Sequence, residues 1–442
     1  GSITKKLARA AVQNAMETES DSLYCRPFQT LYLPFTAQEQ RFVARQWARS
    51  VTPAGQHFPL WDPAVVRTSG RLRIGYLIAD VRNHPNAQNT LQLYGLHDQE
   101  QFEVFTYSWG EDGASEHDRF YRERIVSDSE HFIEMKGWSD GEMAARIAAD
   151  GIQVLIDLMG YTGNNRSAVL ARRPAPVQIQ YLGYPGTLGA DFVDYIVGDD
   201  WVTPQERSAD FAESILRLPD TYQINSHRAI SLENSFARSE LGLPETGFVY
   251  CCFNSNYKIT PDVFSRWQQI IAAAPGSVLW LLKSNPETEQ TLSAEMIRQD
   301  LDPSRLVFAP FWKRDAHLSR LQAADLFLDT APYGAHTTAA DALWAAVPVL
   351  TVPGDTFASR VGASVLHAAR LDEAILPDWD TYQKRAVALA TDDAQTLLSW
   401  KTHLRNERDT LPLFDTPARV RALETTYRQV WEKWCPPKEG KD

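Results

Sequence analysis

Cysteine is scarce in this 442-residue chain, with four in all, Cys25, Cys251, Cys252 and Cys435. Two stand next to each other inside an apolar run and the others far apart. No spacing fits a disulfide framework or a zinc module, and a reducing, cytoplasmic setting is expected. No apolar run approaches ~20 residues, which excludes a helical membrane span. Positive charge is in deficit, 44 Lys and Arg against 56 Asp and Glu, for a net charge of −12. The chain therefore lacks the broad basic surface that a nucleic-acid backbone demands, although a nucleotide could still bind at one local basic site. The N-terminal helical segment, Ile3 to Trp61, shows no internal repeat of ~34 residues, so a superhelical repeat array is not expected. No Asp-x-Asp pair stands at a strand end; Asp199-Asp200 and Asp392-Asp393 are adjacent residues whose side chains point apart. No catalytic metal and no cofactor are expected. The opening Gly1-Ser2 reads as an expression scar, and upstream sequence is expected to be missing.

What remains is ordinary globular material, 44% hydrophobic and 23% charged, and too long for one core. Residues 3–68 read as an amphipathic helical appendage, with a capping box at Thr36-Ala-Gln-Glu39. Strand-like apolar runs then alternate with helical stretches: Arg71–Ala79, Phe102–Ser108, Gln153–Leu158, Val177–Leu182, Tyr195–Val197 and Ser214–Leu216. They define an α/β domain over 69–240. The polar turn Leu241–Thr246 starts a second one, 241–377, with strands at Phe248–Phe253, Val278–Leu282, Leu306–Ala309, Leu326–Leu328 and Pro348–Val352. Thr260-Pro261 marks a helix start. Residues 378–442 read as helices packing back on the body.

In parallel sheets, ligands sit beyond the carboxyl ends of the strands, where helices begin. Four stretches fall there. Leu326–Leu328 runs into a Pro/Gly loop and then into His336-Thr337-Thr338, which open a helix to about Ala346. The first turn of a helix offers unpaired N–H groups and partial positive charge, which suit a phosphate. Asp341 lies on the same helical face, well placed for a ribose diol. The same spacing, Thr338-Ala-Ala-Asp341, is also a capping box that needs no ligand, and pattern alone leaves the two readings open. Ser255 and Lys258 follow the strand Phe248–Phe253; a lysine there could screen a diphosphate without metal, or be an ordinary solvated lysine. His84, in Asp80–Pro85 beyond Arg71–Ala79, titrates near neutrality and is the candidate acid–base group. Gly183–Gly189, rich in glycine and proline, reads as a close-approach loop whose backbone could meet a phosphate, with Gly183, Gly186 and Thr187 as candidates.

The wording of Ala324–Pro353 resembles the donor-site segment of glycosyltransferase family 41, the protein O-linked N-acetylglucosamine transferases. So do Phe253-Asn254 with Tyr257-Lys258-Ile259, the pair Arg173–Gln178 and Leu182–Thr187, and Pro353–Val361. The likeness runs from about Leu72 to Trp434. It implies an α/β fold of the GT-B type, two doubly wound Rossmann-like domains facing a cleft, with His84 opposite the donor residues. It implies that Lys258 and His336-Thr337-Thr338 meet the diphosphate of a UDP-sugar and Asp341 its ribose. His317 would stack on uracil, with Arg314 at the position of a uracil-contacting lysine and Arg320 beside it; Ser255 stands at a family glutamine. His84 matches a family histidine near the reacting centre. Asp150 matches a proposed catalytic carboxylate, while a further family histidine is replaced by Gln153, which is assigned no role. The implied reaction is inverting, metal-independent transfer of N-acetylglucosamine from UDP to Ser or Thr of a protein or peptide, in a compact, bacterial-type member. Glucose transfer to Asn by a related branch is the runner-up, and a catalytically inactive UDP-sugar-binding protein is a reading from another class.

Overall fold

The computed structural model describes residues 2–18, 20, 25–52, 60–66, 70–232 and 236–435. The expectations for residues 53–59 and 67–69 of the helical appendage, and for the last residues of the chain, lie outside them. The chain divides into two compact units, residues 1–226 with 416–442, and residues 227–415.

The first unit holds seven parallel strands: β1 Leu72–Ile78, β2 Phe102–Ser108, β3 His131–Glu134, β4 Val154–Asp157, β5 Val177–Gln180, β6 Tyr195–Gly198 and β7 Ser214–Arg217. Their order is β3-β2-β1-β4-β5-β6-β7. β4 is buried along its length, as a parallel strand covered on both faces should be. β3 escapes a pattern reading because Ile133 is its one buried residue. In the appendage, the helix Ala37–Val51 opens on the expected capping box. The Glu39 amide donates to Thr36 Oγ1 at 3.2 Å, and the Thr36 amide to Glu39 Oε2 at 2.7 Å.

The second unit holds β8 Val249–Cys252, β9 Val278–Leu282, β10 Leu306–Ala309, β11 Leu326–Leu328 and β12 Val349–Leu350, in the order β10-β9-β8-β11-β12, all parallel. Thr260 caps the helix Pro261–Ala273 with Pro261 in its first turn. Each unit thus places its first strand beside its fourth. The connections leave that junction in opposite directions, which opens a crevice at the carboxyl ends of β1 and β4 in one unit and of β8 and β11 in the other.

The unit boundary falls at Ser226/His227, ahead of the turn at Leu241–Thr246, because the His227 side chain belongs to the second unit's polar core (below). The C-terminal helices do not act as one element. Residues 378–415 belong to the second unit and the helix Thr416–Trp434 to the first. Buried polar pairs explain the latter: Glu424 Oε1 lies 3.1 Å from His97 Nδ1 and accepts the Asp98 amide at 2.7 Å. Among the described residues, no helix is long and apolar enough to cross a membrane.

Candidate active site

The second unit gathers most of the expected residues at the β8/β11 junction. Beyond β11, Asp329 is fully buried and anchors the loop. Its Oδ1 accepts the amides of Thr330 and Ala335, each at 2.6 Å, and its Oδ2 accepts the Thr351 hydroxyl at 2.6 Å. A Cβ on Gly362 would stand 2.6 Å from that Oδ2, so glycine is required for the close approach. Burial pushes the Asp329 carboxyl up, against the pull of those three donors. The loop contains a cis Ala331–Pro332 bond and delivers His336 as N-cap of the helix Thr337–Trp344.

Lys258 ends the short turn after β8. It is 8% exposed; its Nζ donates to the Gly334 carbonyl at 2.8 Å and lies 3.7 Å from the Tyr333 ring centroid. Burial lowers its pKa to about 8, partly offset by Asp329. Ser255, N-cap of the same turn, is exposed. The Thr338 hydroxyl donates to Asn254 Oδ1, and Asn254 Nδ2 donates to Thr330 Oγ1 at 2.7 Å, which ties the β8 and β11 loops together. His336 Nε2 lies 3.0 Å from the Ala358 carbonyl. A carbonyl only accepts, so Nε2 carries the proton and Nδ1 the lone pair. Burial and the nearby Lys258 push the ring far below its ordinary pKa, leaving it neutral.

The capping-box reading of Thr338 and Asp341 fails. The cap is His336, and the Asp341 carboxylate faces elsewhere. Its Oδ1 accepts from Arg314 Nη2 at 2.7 Å and lies 2.8 Å from His227 Nε2; its Oδ2 takes Arg314 Nη1 at 3.3 Å. Arg314 is 9% and Asp341 4% exposed. Burial alone would raise Asp341, but Arg314 and His227 overcome it and hold the carboxyl at about 2. His227 was not legible in the sequence as a site residue.

His317 lies on the helix Arg314–Leu321, edge-on to Phe253 at 4.9 Å between centroids. Arg320 donates to its Nδ1 from Nε at 3.1 Å and from Nη2 at 2.9 Å, and to the Pro310 carbonyl at 2.7 Å. Burial and Arg320 push His317 to about 3, so it too is a neutral ring. The Arg320 guanidinium stacks near Trp312, Phe253 and Trp280, at 4.7, 5.2 and 5.8 Å. Its burial lowers it to about 10, still charged at neutral pH.

In the first unit, His84 stands beyond β1 as N-cap of the helix Pro85–Thr90. Its Nδ1 lies 3.3 Å from both the Asn86 amide and Asp80 Oδ2; neither contact involves Nε2. Burial, with Arg82, lowers its pKa and Asp80 opposes. The net effect keeps the ring neutral and able to accept a proton. Asn86 Nδ2 donates to the Leu158 carbonyl at 2.6 Å and so joins the His84 helix to the loop beyond β4.

One expectation is corrected. Asp150 follows the helix Asp140–Ala149 and precedes β4, which puts it at the amino edge of the sheet, away from the crevice. Its carboxylate is taken by Arg146 Nε at 2.9 Å and the Tyr107 hydroxyl at 2.8 Å. Gln153 also serves structure there, accepting the Arg73 amide at 2.7 Å. The Gly183–Gly189 loop is a close-approach loop whose glycines pack tightly on their own protein. A Cβ on Gly183 would lie 2.0 Å from the Leu158 carbonyl oxygen, and one on Gly186 would lie 3.2 Å from the Tyr184 ring. The Thr187 hydroxyl donates to the buried Glu213 Oε2 at 2.7 Å and the Leu188 amide to Oε1 at 2.6 Å. Thr187 is therefore committed to Glu213. Among the described residues, no group of three His, Cys, Asp or Glu side chains is placed to hold a metal ion.

Two parallel α/β units, the second with cations, neutral imidazoles and a helix start at its switch point, make a fold of the GT-B type. The chain belongs to glycosyltransferase family 41, whose model matches residues 27–234 and 230–423. Among curated relatives, the protein SEC of Arabidopsis thaliana is named a probable UDP-N-acetylglucosamine–peptide N-acetylglucosaminyltransferase. It is 34% identical over 93% of this chain and 43% of its own length. A Caenorhabditis elegans protein, named a UDP-N-acetylglucosamine–peptide N-acetylglucosaminyltransferase, is 27% identical over 84% of this chain and 42% of its own. The chain thus spans less than half the length of these relatives. Among solved structures, a point mutant of the Thermobaculum terrenum O-GlcNAc transferase superposes with a TM-score of 0.80 at 29% identity, over 92% of this chain and 77% of that one. Sucrose-phosphate synthase from Thermosynechococcus elongatus, at 13% identity and a TM-score of 0.54, shares the fold alone.

Proposed function

We propose that this chain transfers N-acetylglucosamine from UDP-N-acetylglucosamine to Ser or Thr of a protein or peptide, with inversion and without a metal. The observation that carries the reading is the set Lys258, His336-Thr337-Thr338 and Asp341 around one crevice of the second unit. A cation and a helix start supply what a departing UDP needs, preorganised compensation of diphosphate charge. His336, neutral with its lone pair on Nδ1, adds no charge of its own. Asp341, held ionised by Arg314, is suited to accept from a ribose hydroxyl. His317, with Arg320 fixing its ring, offers a neutral aromatic surface for the base. His84, neutral, is suited to take the acceptor hydroxyl proton on Nε2 as the glycosidic bond forms, in the tautomer whose Nδ1–H donates to Asp80 Oδ2 and leaves the lone pair on Nε2. The printed names of the relatives support N-acetylglucosamine over glucose. The test is mass spectrometry of a peptide library incubated in parallel with UDP-N-acetylglucosamine and UDP-glucose. The reading expects N-acetylhexosamine on Ser or Thr from the first donor; hexose on Asn from the second would move the chain to the other branch.

A further inference from the structure

Asp341 is reached from a part of the chain that no motif singles out. His227, in the turn His227–Ala229, is 1% exposed and puts Nε2 2.8 Å from Asp341 Oδ1. A carboxylate at about 2 is ionised and only accepts, so the ring nitrogen carries the proton and donates. Arg314 Nη2, 3.2 Å from the same ring nitrogen, therefore shares Oδ1 with the imidazole and does not bond to it. The opposite nitrogen, Nδ1, is buried without a hydrogen-bond partner. The rings of Trp344 and Phe414 lie against the imidazole, with centroids at 5.9 and 5.3 Å. A proton on Nδ1 would be an unpaired charge among aromatic rings, which is costly. The ring is thus held in one tautomer and one orientation, aimed at Asp341.

Two strong donors fill Oδ1, whereas Oδ2 receives one long bond from Arg314 at 3.3 Å. A carboxylate has about four acceptor positions, and the remaining capacity lies on Oδ2. We infer that His227 is a positioning residue for nucleotide recognition: by occupying Oδ1 it fixes the carboxylate so that Oδ2 is the oxygen presented to a ribose hydroxyl. The inference rests on the reading above that Asp341 meets the ribose of a UDP-sugar.

The experiment compares UDP with 2′,3′-dideoxy-UDP, which lacks the diol, by calorimetric titration of the full chain. Wild type is expected to favour UDP. His227→Phe keeps a ring between Trp344 and Phe414 but removes the donor. It should weaken UDP about tenfold, the scale of one lost charge-assisted hydrogen bond, and leave dideoxy-UDP within about twofold. His227→Gln, whose amide nitrogen reaches the place of Nε2, should restore UDP to within about threefold of wild type. Should His227→Phe not fold, His227→Asn takes its place, since its shorter amide falls short of Oδ1. Equal losses for both ligands, or an unchanged UDP affinity in the donor-free variant, overturn the positioning role. Equal affinity of wild type for the two ligands overturns the ribose assignment of Asp341. Absence of UDP binding overturns the underlying reading itself.

Discussion

The ammonium of Lys258 sits 3.7 Å from the centroid of the Tyr333 ring while donating to the neighbouring Gly334 carbonyl. The β11 loop thus grips, by its ring and its backbone, the cation that follows β8. A lysine held this way has donor capacity left for a diphosphate and has already lost much of its hydration. Lys258→Ala should weaken UDP by about ten- to a hundred-fold, the scale of a charge-assisted contact worth ~1.5–3 kcal/mol. Uridine should be nearly unaffected. Parallel titrations of the two ligands check this, and equal losses would place Lys258 away from the diphosphate.

The same burial gives a pH signature. The free protein holds Lys258 at about 8; a bound diphosphate favours the ammonium and raises that value. Binding then takes up a proton in the interval between the two pKa values. UDP affinity should be full below pH 8 and fall as pH rises through it, while uridine affinity stays flat. A UDP affinity constant from pH 7 to 9.5 would contradict the assignment.

Asp341→Asn removes the charge that Arg314 and His227 converge on. Breaking a buried pair by neutralising one partner costs about 3–5 kcal/mol, so thermal stability should fall together with affinity for both UDP and uridine. The folded carboxyl is held below its ordinary value, so its stabilising contribution is present at neutral pH and is lost as pH falls from the ordinary carboxylate range towards 2. Denaturation midpoints and uridine titrations on the same sample check both effects. Loss of stability with intact uridine affinity would make Asp341 purely structural.

For the first unit the expected outcome separates two residues. His84→Ala should reduce transfer by ~10²–10⁴-fold, the usual range for general acid–base help, with UDP affinity within about twofold. A loss of only about tenfold would indicate orientation, with the donor phosphate as base. Asp150→Asn should leave turnover within about twofold, since its carboxylate is spent on Arg146 and Tyr107 at the far edge of the sheet. A large drop in Asp150→Asn turnover, with stability retained, would reverse that placement.

How much of this was readable follows from what kind of signal each residue leaves. Buried parallel strands are near-continuous apolar runs, so β1, β2, β9 and β11 announce themselves. β3, with Ile133 alone buried, does not. Lys258 and His336 follow strands directly, and the rule that ligands gather at carboxyl ends finds them. The same rule excludes Asp150, which precedes its strand; only the family resemblance points to it. Thr187 and Asp341 have contacts that the sequence does not show. Their partners, Glu213 and His227, are 26 and 114 residues away in sequence, and a side chain's hydrogen-bond partner across the fold leaves no local pattern. Gly183 was recognised as a close approach, but composition does not say what approaches, and it proved to be the Leu158 carbonyl.

Sugar transfer by this chain should depend on the crevice of the second unit. The most direct measurement incubates wild type and Lys258→Ala with an acceptor peptide library and UDP-N-acetylglucosamine in EDTA, and reads modified residues by mass spectrometry. N-acetylhexosamine is expected on Ser or Thr with wild type, undiminished by the chelator, and is expected to be nearly absent with Lys258→Ala. No transfer by wild type, or equal transfer by both proteins, would overturn that dependence.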